Sequence, residues 1–279
     1  MHSPAHWAEP PSPLPPPASR PPIVPGGPLP ASIAAALWRG DELGASVAAV
    51  VRSGFDALDA QLPGGGWPCQ SLTELLQPQP SVAEWRLLGA AMRQVVARGG
   101  DVVVIGPPKS PHLPGLLHLG IGERHLVWLQ PDGPAERLWV TEQVIRANAA
   151  GLLVSWLPQA RQEQIRRLQI GAQSCDGPVF LCRPAAAEHE PSAAPLRLRV
   201  RVDADWALQV DILKRKGPTH EGVIRLHSVP GGLDAILTPR LAKPSDLVAA
   251  RVARDATHVV GGPAPRQPVS RPVSTSPAH

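Results

Sequence analysis

Lysine is nearly absent from this chain. Of its 27 basic residues only Lys109, Lys214, Lys216 and Lys243 are lysines, and none precedes Lys109. A lysine-bearing phosphate loop is therefore excluded from everything N-terminal to that residue. Tyrosine is missing and phenylalanine occurs twice. With abundant Ala, Gly and Pro and arginine in place of lysine, this has the look of a coding bias and carries little functional weight. The three cysteines, Cys69, Cys175 and Cys182, form no CxxC pair and have an odd total. That argues against a disulfide framework or a structural zinc, and buried thiols are expected. No apolar run approaches the roughly 18 residues needed to span a bilayer. The start, Met1-His2-Ser3-Pro4, lacks a basic segment followed by an apolar one, so no export signal and no membrane partner are expected, and cytoplasmic residence is. No GxSxG frames a nucleophilic serine.

What is present belongs to a globular chain. A hydrophobic content of 43% over 279 residues suffices for one large core, so a single main domain with flexible ends is expected. The net charge of +4 permits contact with nucleic acid without requiring it. Proline dominates residues 1–30 and recurs through 259–279, and both stretches read as disordered tails or extended ligands. Between them, residues 31–50 form an N-terminal helix and linker, with Ser32–Trp38 as the helix. Residues 51–230 form the core, and 231–258 a C-terminal segment carrying a helix over 245–256.

The core alternates apolar strands with helices. Strands are expected at 72–76, 102–105, 125–129, 151–157 and 179–181, and helices at 83–97, 114–119, 134–148 and 159–172. Continuous apolar strands separated by helices imply an α/β fold with a mostly parallel sheet covered on both faces. Leu196–Val202 and Ala207–Lys214 alternate instead, and read as an antiparallel hairpin turning at Asp203-Ala204-Asp205.

Several segments carry a resemblance. They are Val51-Arg52-Ser53-Gly54-Phe55-Asp56-Ala57-Leu58-Asp59, the turn Leu62-Pro63-Gly64-Gly65-Gly66-Trp67-Pro68, and the run from Leu72 to Leu88. Gln130-Pro131-Asp132 and Lys214-Arg215-Lys216-Gly217-Pro218 follow in order. Over about residues 31–230 the chain resembles RecA-like proteins, and more closely the ImuA family of RecA-like accessory proteins encoded in bacterial mutasome operons. The resemblance implies a RecA-like sheet with an antiparallel β appendage. It also implies a role in SOS-induced, error-prone translesion synthesis beside an ImuB-like Y-family polymerase homologue and an error-prone replicative-type polymerase, with RecA as a further candidate partner.

The same resemblance shows what has been lost. In GxxxxGK[ST], glycines turn backbone N–H groups toward the phosphates, lysine neutralises them and the hydroxyl holds magnesium. Here the two glycines fall at Gln77 and Val82, the lysine at Ala83 and the hydroxyl at Glu84, while Pro78 and Pro80 remove two N–H donors. The activating glutamate corresponds to Pro108, and the acidic residue of the magnesium-binding strand to Ser155. No catalytic residue, cofactor or metal is therefore expected. Gly106-Pro107-Pro108-Lys109-Ser110 is a poor substitute loop, with one glycine and two prolines.

The remaining signals are weaker. His112, His118 and His125 lack an evident acidic partner and read as surface or core histidines. The tryptophans from Trp38 to Trp206 mostly fall on apolar faces and read as core. Lys214, Arg215 and Lys216 form either a contact for phosphate or an acidic partner, or a solvated strand end, and direct DNA contact stays open on that account. Trp38, on the Ser32–Trp38 helix, occupies the place of a subunit-docking segment in RecA-like proteins. Three readings compete with a catalytically dead adaptor: an active RecA-type ATPase, a cell-division inhibitor of the SulA type that binds FtsZ, and a DNA-binding module.

Overall fold

The computed structural model describes residues 49–230 and 233–257. The expected tails at 1–30 and 259–279 and the Ser32–Trp38 helix, Trp38 included, lie outside the described residues. The described chain opens with strand β1 (Val50–Val51), a turn of helix α1 (Asp56–Asp59) and strand β2 (Trp67–Pro68), which pairs antiparallel with β1. Alternation follows: β3 (Leu72–Gln77), α2 (Glu84–Ala97), β4 (Val102–Ile105), α3 (Leu113–His118), β5 (Leu126–Leu129), α4 (Pro134–Arg146), β6 (Leu152–Trp156), α5 (Gln162–Ala172) and β7 (Val179–Pro184). A meander of β8 (Leu196–Val202), β9 (Ala207–Lys214) and β10 (Ile224–His227) closes the sheet, before α6 (Pro239–Ala242) and α7 (Pro244–Thr257).

The eight strands lie in the order β10-β9-β8-β3-β7-β6-β4-β5, parallel from β8 to β5 and antiparallel across β8-β9-β10. The expected α/β class and antiparallel appendage are what the chain adopts. Every residue of β3, β4 and β6 is buried, because helices cover both sides of the parallel half. Leu87, Leu88, Ala91 and Met92 of α2 pack with Leu75, Val104, Val154 and Phe180 on one face. On the other, Ile145 of α4 and Ile165 and Leu168 of α5 pack with Leu72, Val103, Leu153 and Leu181.

Toward β8 the second face turns polar. Glu74 of β3 is fully buried, and its carboxylate accepts from Arg183 Nη1 at 2.8 Å and from Arg197 Nε at 2.5 Å. Both arginines reach further acceptors, Ala160 O and Ala187 O, so the buried charges are closed into a network. The N-terminal segment covers the opposite face of the meander, with Leu58 and Leu62 packed among Val200, Leu208, Val210 and Leu226.

The hairpin tip anchors the C-terminal segment. Asp205 and Trp206 both adopt positive φ, at 56° and 58°. Asp205 accepts from the Ser245 backbone N–H at 2.9 Å and from its hydroxyl at 2.6 Å, capping α7, and Trp206 Nε1 donates to Leu241 O. Among the described residues no helix is long and apolar enough to cross a membrane.

Candidate functional site

The loop between β3 and α2 is the place where a parallel sheet of this kind presents a helix N-terminus to an anion. Here the anion is internal. Glu84 is the first residue of α2 and is 1% exposed. Its Oε1 accepts from the Ser81 backbone N–H at 2.8 Å and from Trp156 Nε1 at 2.7 Å. Ser81 makes this approach with φ at +63°, a left-handed conformation that few side chains adopt. A carboxylate thus takes the loop donor and sits at the positive end of the helix dipole.

Residues that sequence reasoning grouped as a phosphate cradle serve other ends. Gln77 is 2% exposed and both its amide atoms are buried without a hydrogen-bond partner among the described residues. Ala83 is buried against the core, and Val82 lines a cleft on the outer side of α2. Pro108 is exposed in the loop after β4. Ser155 faces away from the loop: its hydroxyl bonds Thr141 Oγ1 at 2.8 Å, and Thr141 in turn donates to Arg137 O. The neighbouring Trp156 is the residue that β6 turns toward the loop.

Trp156 is fixed along its whole length. Its carbonyl accepts from Arg137 Nη1 at 3.3 Å, and its ring lies 6.3 Å from that of Trp85, which stacks on Trp128 at 6.5 Å. Arg137 reaches this carbonyl across Gly106, where an added Cβ would stand 2.1 Å from Arg137 Nε. Only glycine leaves that passage open. Trp156 and Arg137 are the residues that sequence reasoning missed. A tryptophan ending an apolar strand was a usable signal, because a buried indole N–H needs an acceptor.

Arg86, two residues beyond Glu84, points away from the loop. Its guanidinium donates to Ser228 O at 2.7 Å and Trp206 O at 2.5 Å, tying α2 to the meander, and burial lowers its pKa. It lines a cleft of about 580 Å³ walled by α2, the Lys109–His112 loop, α3 and the chain after β10.

The other candidates disperse. Lys214 donates to Ser192 O, and Arg215 to Pro218 O and to Gln61, so both hold the meander to neighbouring loops; Lys216 is exposed. His112 Nδ1 accepts the Gly115 N–H at the start of α3. His125 does have an acidic neighbour, Asp101 at 3.2 Å, which corrects the expectation drawn from spacing alone. No cluster able to hold a metal ion occurs among the described residues. All three cysteines are free and buried, and burial raises each thiol, Cys182 most, with Glu84 adding to the effect there. No family model matches the chain.

Proposed function

We propose that the chain is a non-catalytic RecA-like accessory protein of the ImuA type, which acts in DNA-damage tolerance by holding partners together. The observation that carries this reading is the Glu84 carboxylate at the N-terminus of α2, held by the Ser81 N–H and the Trp156 indole. A triphosphate in that loop would meet a like charge a few ångströms away, a repulsion of about 1–4 kcal/mol. The lysine position of the loop is held by the buried Ala83, so the loop brings no cation of its own to offset that repulsion.

Without a nucleotide cycle, assembly follows partner concentration and affinity alone. The partners in this reading are an ImuB-like polymerase homologue and an error-prone replicative-type polymerase. The C-terminal helix α7 offers one surface for them. Val248 and Val252 are 64% and 62% exposed, and Leu241 and Ile236, earlier in the C-terminal segment, are exposed as well. Lys216, in the connection between β9 and β10, is a second candidate contact, and Trp38 a third.

Co-expression with the operon neighbours and purification through a tag on the full chain tests the proposal. The polymerase homologue should co-purify, and a Val248→Asp/Val252→Asp variant should retain less of it. Recovery of neither neighbour, or recovery of FtsZ instead, would refute the reading.

A further inference from the structure

We infer that the cleft beside α2 is a docking site for an acidic peptide segment of a partner protein, seated by a bulky apolar anchor. The inference rests on the adaptor reading and gives it a surface and a ligand chemistry. Arg86, Arg93 and Lys109 line the cleft, and among the described residues Asp234 is the one acidic side chain in its lining. Among the described residues none of the three cations forms a salt bridge, whereas Arg197 and Arg201 have one each and Arg183 and Arg199 two each. Arg86 is half-buried and meets only carbonyl oxygens. A desolvated guanidinium without a counter-charge is costly, and a carboxylate entering the cleft would relieve that cost.

The spacing favours a chain over a compact anion. Arg86 and Arg93 are seven residues apart on α2, about 10 Å along its axis. Lys109 lines the same cleft from the loop after β4. Three cations distributed in this way match successive acidic side chains better than one phosphate group. The apolar part of the lining comes from Trp85, Leu116 and Leu119. Trp85 offers an apolar anchor a flat partner. The volume of about 580 Å³ accommodates a few side chains.

A phage-displayed library of random dodecapeptides, panned against the full chain, tests the inference without any operon partner. Its failure is therefore distinguishable from failure of the adaptor reading. Peptides pairing Asp or Glu with Trp, Phe or Leu should be enriched. Their synthetic forms should bind at least tenfold more weakly to an Arg93→Glu/Lys109→Glu variant, whose altered side chains are both exposed, and more weakly as salt rises. A thermal melt matching the unaltered protein shows that the variant folds. No enrichment, enrichment of basic peptides, equal binding to the variant, or displacement of the peptides by a short single-stranded oligonucleotide would each overturn the inference.

Discussion

Trp156 donates its indole N–H to Glu84 Oε1 over 2.7 Å, joining the end of β6 to the first turn of α2 across the mouth of the sheet. The two residues are 72 apart in sequence, and both are almost fully buried. In a water-excluded site a hydrogen bond to a carboxylate is worth more than its neutral counterpart, and losing one partner leaves the other uncompensated. Trp156→Phe should destabilise the protein by about 1–3 kcal/mol. Urea unfolding of that variant, of Glu84→Gln and of the pair should give a coupling of about 0.5–3 kcal/mol. Additive effects would mean the contact contributes nothing.

Gln77 gives the opposite expectation. Its amide is buried with neither atom paired among the described residues, so the side chain carries a desolvation cost with no return. Gln77→Met keeps the length of the side chain and removes both polar atoms. It should raise stability by about 1 kcal/mol, visible as a higher melting temperature. A fall in melting temperature would show that the amide is satisfied in solution.

Glu74 sits between Arg183 and Arg197. Glu74→Ala leaves the buried Arg197 without a counter-charge, while Arg183 keeps Glu190, and should cost about 3–5 kcal/mol. Replacing all three by apolar residues, as in Glu74→Leu/Arg183→Met/Arg197→Met, should recover most of that loss. Unfolding curves of the two variants separate a network that stabilises from one that merely closes its own charges.

Asp205 predicts an acid response at one end of the molecule. Its pKa is lowered, chiefly by the Ser245 hydroxyl and then by the Ser245 N–H. A depressed carboxyl stabilises above its unfolded value and loses that contribution as the pH falls through its folded value. Protection factors of amides early in α7, taken against the intrinsic exchange rate at each pH, should therefore be severalfold lower below pH 4 than at pH 6. Asp205→Ala should show the lowered protection at both pH values.

Periodicity sufficed for the middle of the sheet because β4 and β6 are almost wholly apolar: β4 is Val-Val-Val-Ile, and its bounds were legible to the residue. Short elements escaped. β10 has four alternating residues between two proline-containing stretches and exists through its pairing with β9, which local propensity does not encode. β7 runs to Pro184 because β3 continues beside it. Trp139, expected in the core, is 59% exposed, since the buried stripe of α4 runs through Leu138, Thr141 and Ile145, one residue out of step. At the site, the loss of lysine and glycine was legible. That Glu84 would turn inward and meet Trp156 was not, because no local pattern brings a strand end to a helix start.

Calorimetric titration of the purified full chain with ATP and magnesium decides whether the loop between β3 and α2 can still take a triphosphate. With the Glu84 carboxylate at the head of α2 the account predicts no saturable heat up to millimolar ATP. Saturable, magnesium-dependent binding in the micromolar range, lost on altering the Pro78–Glu84 loop, would contradict it.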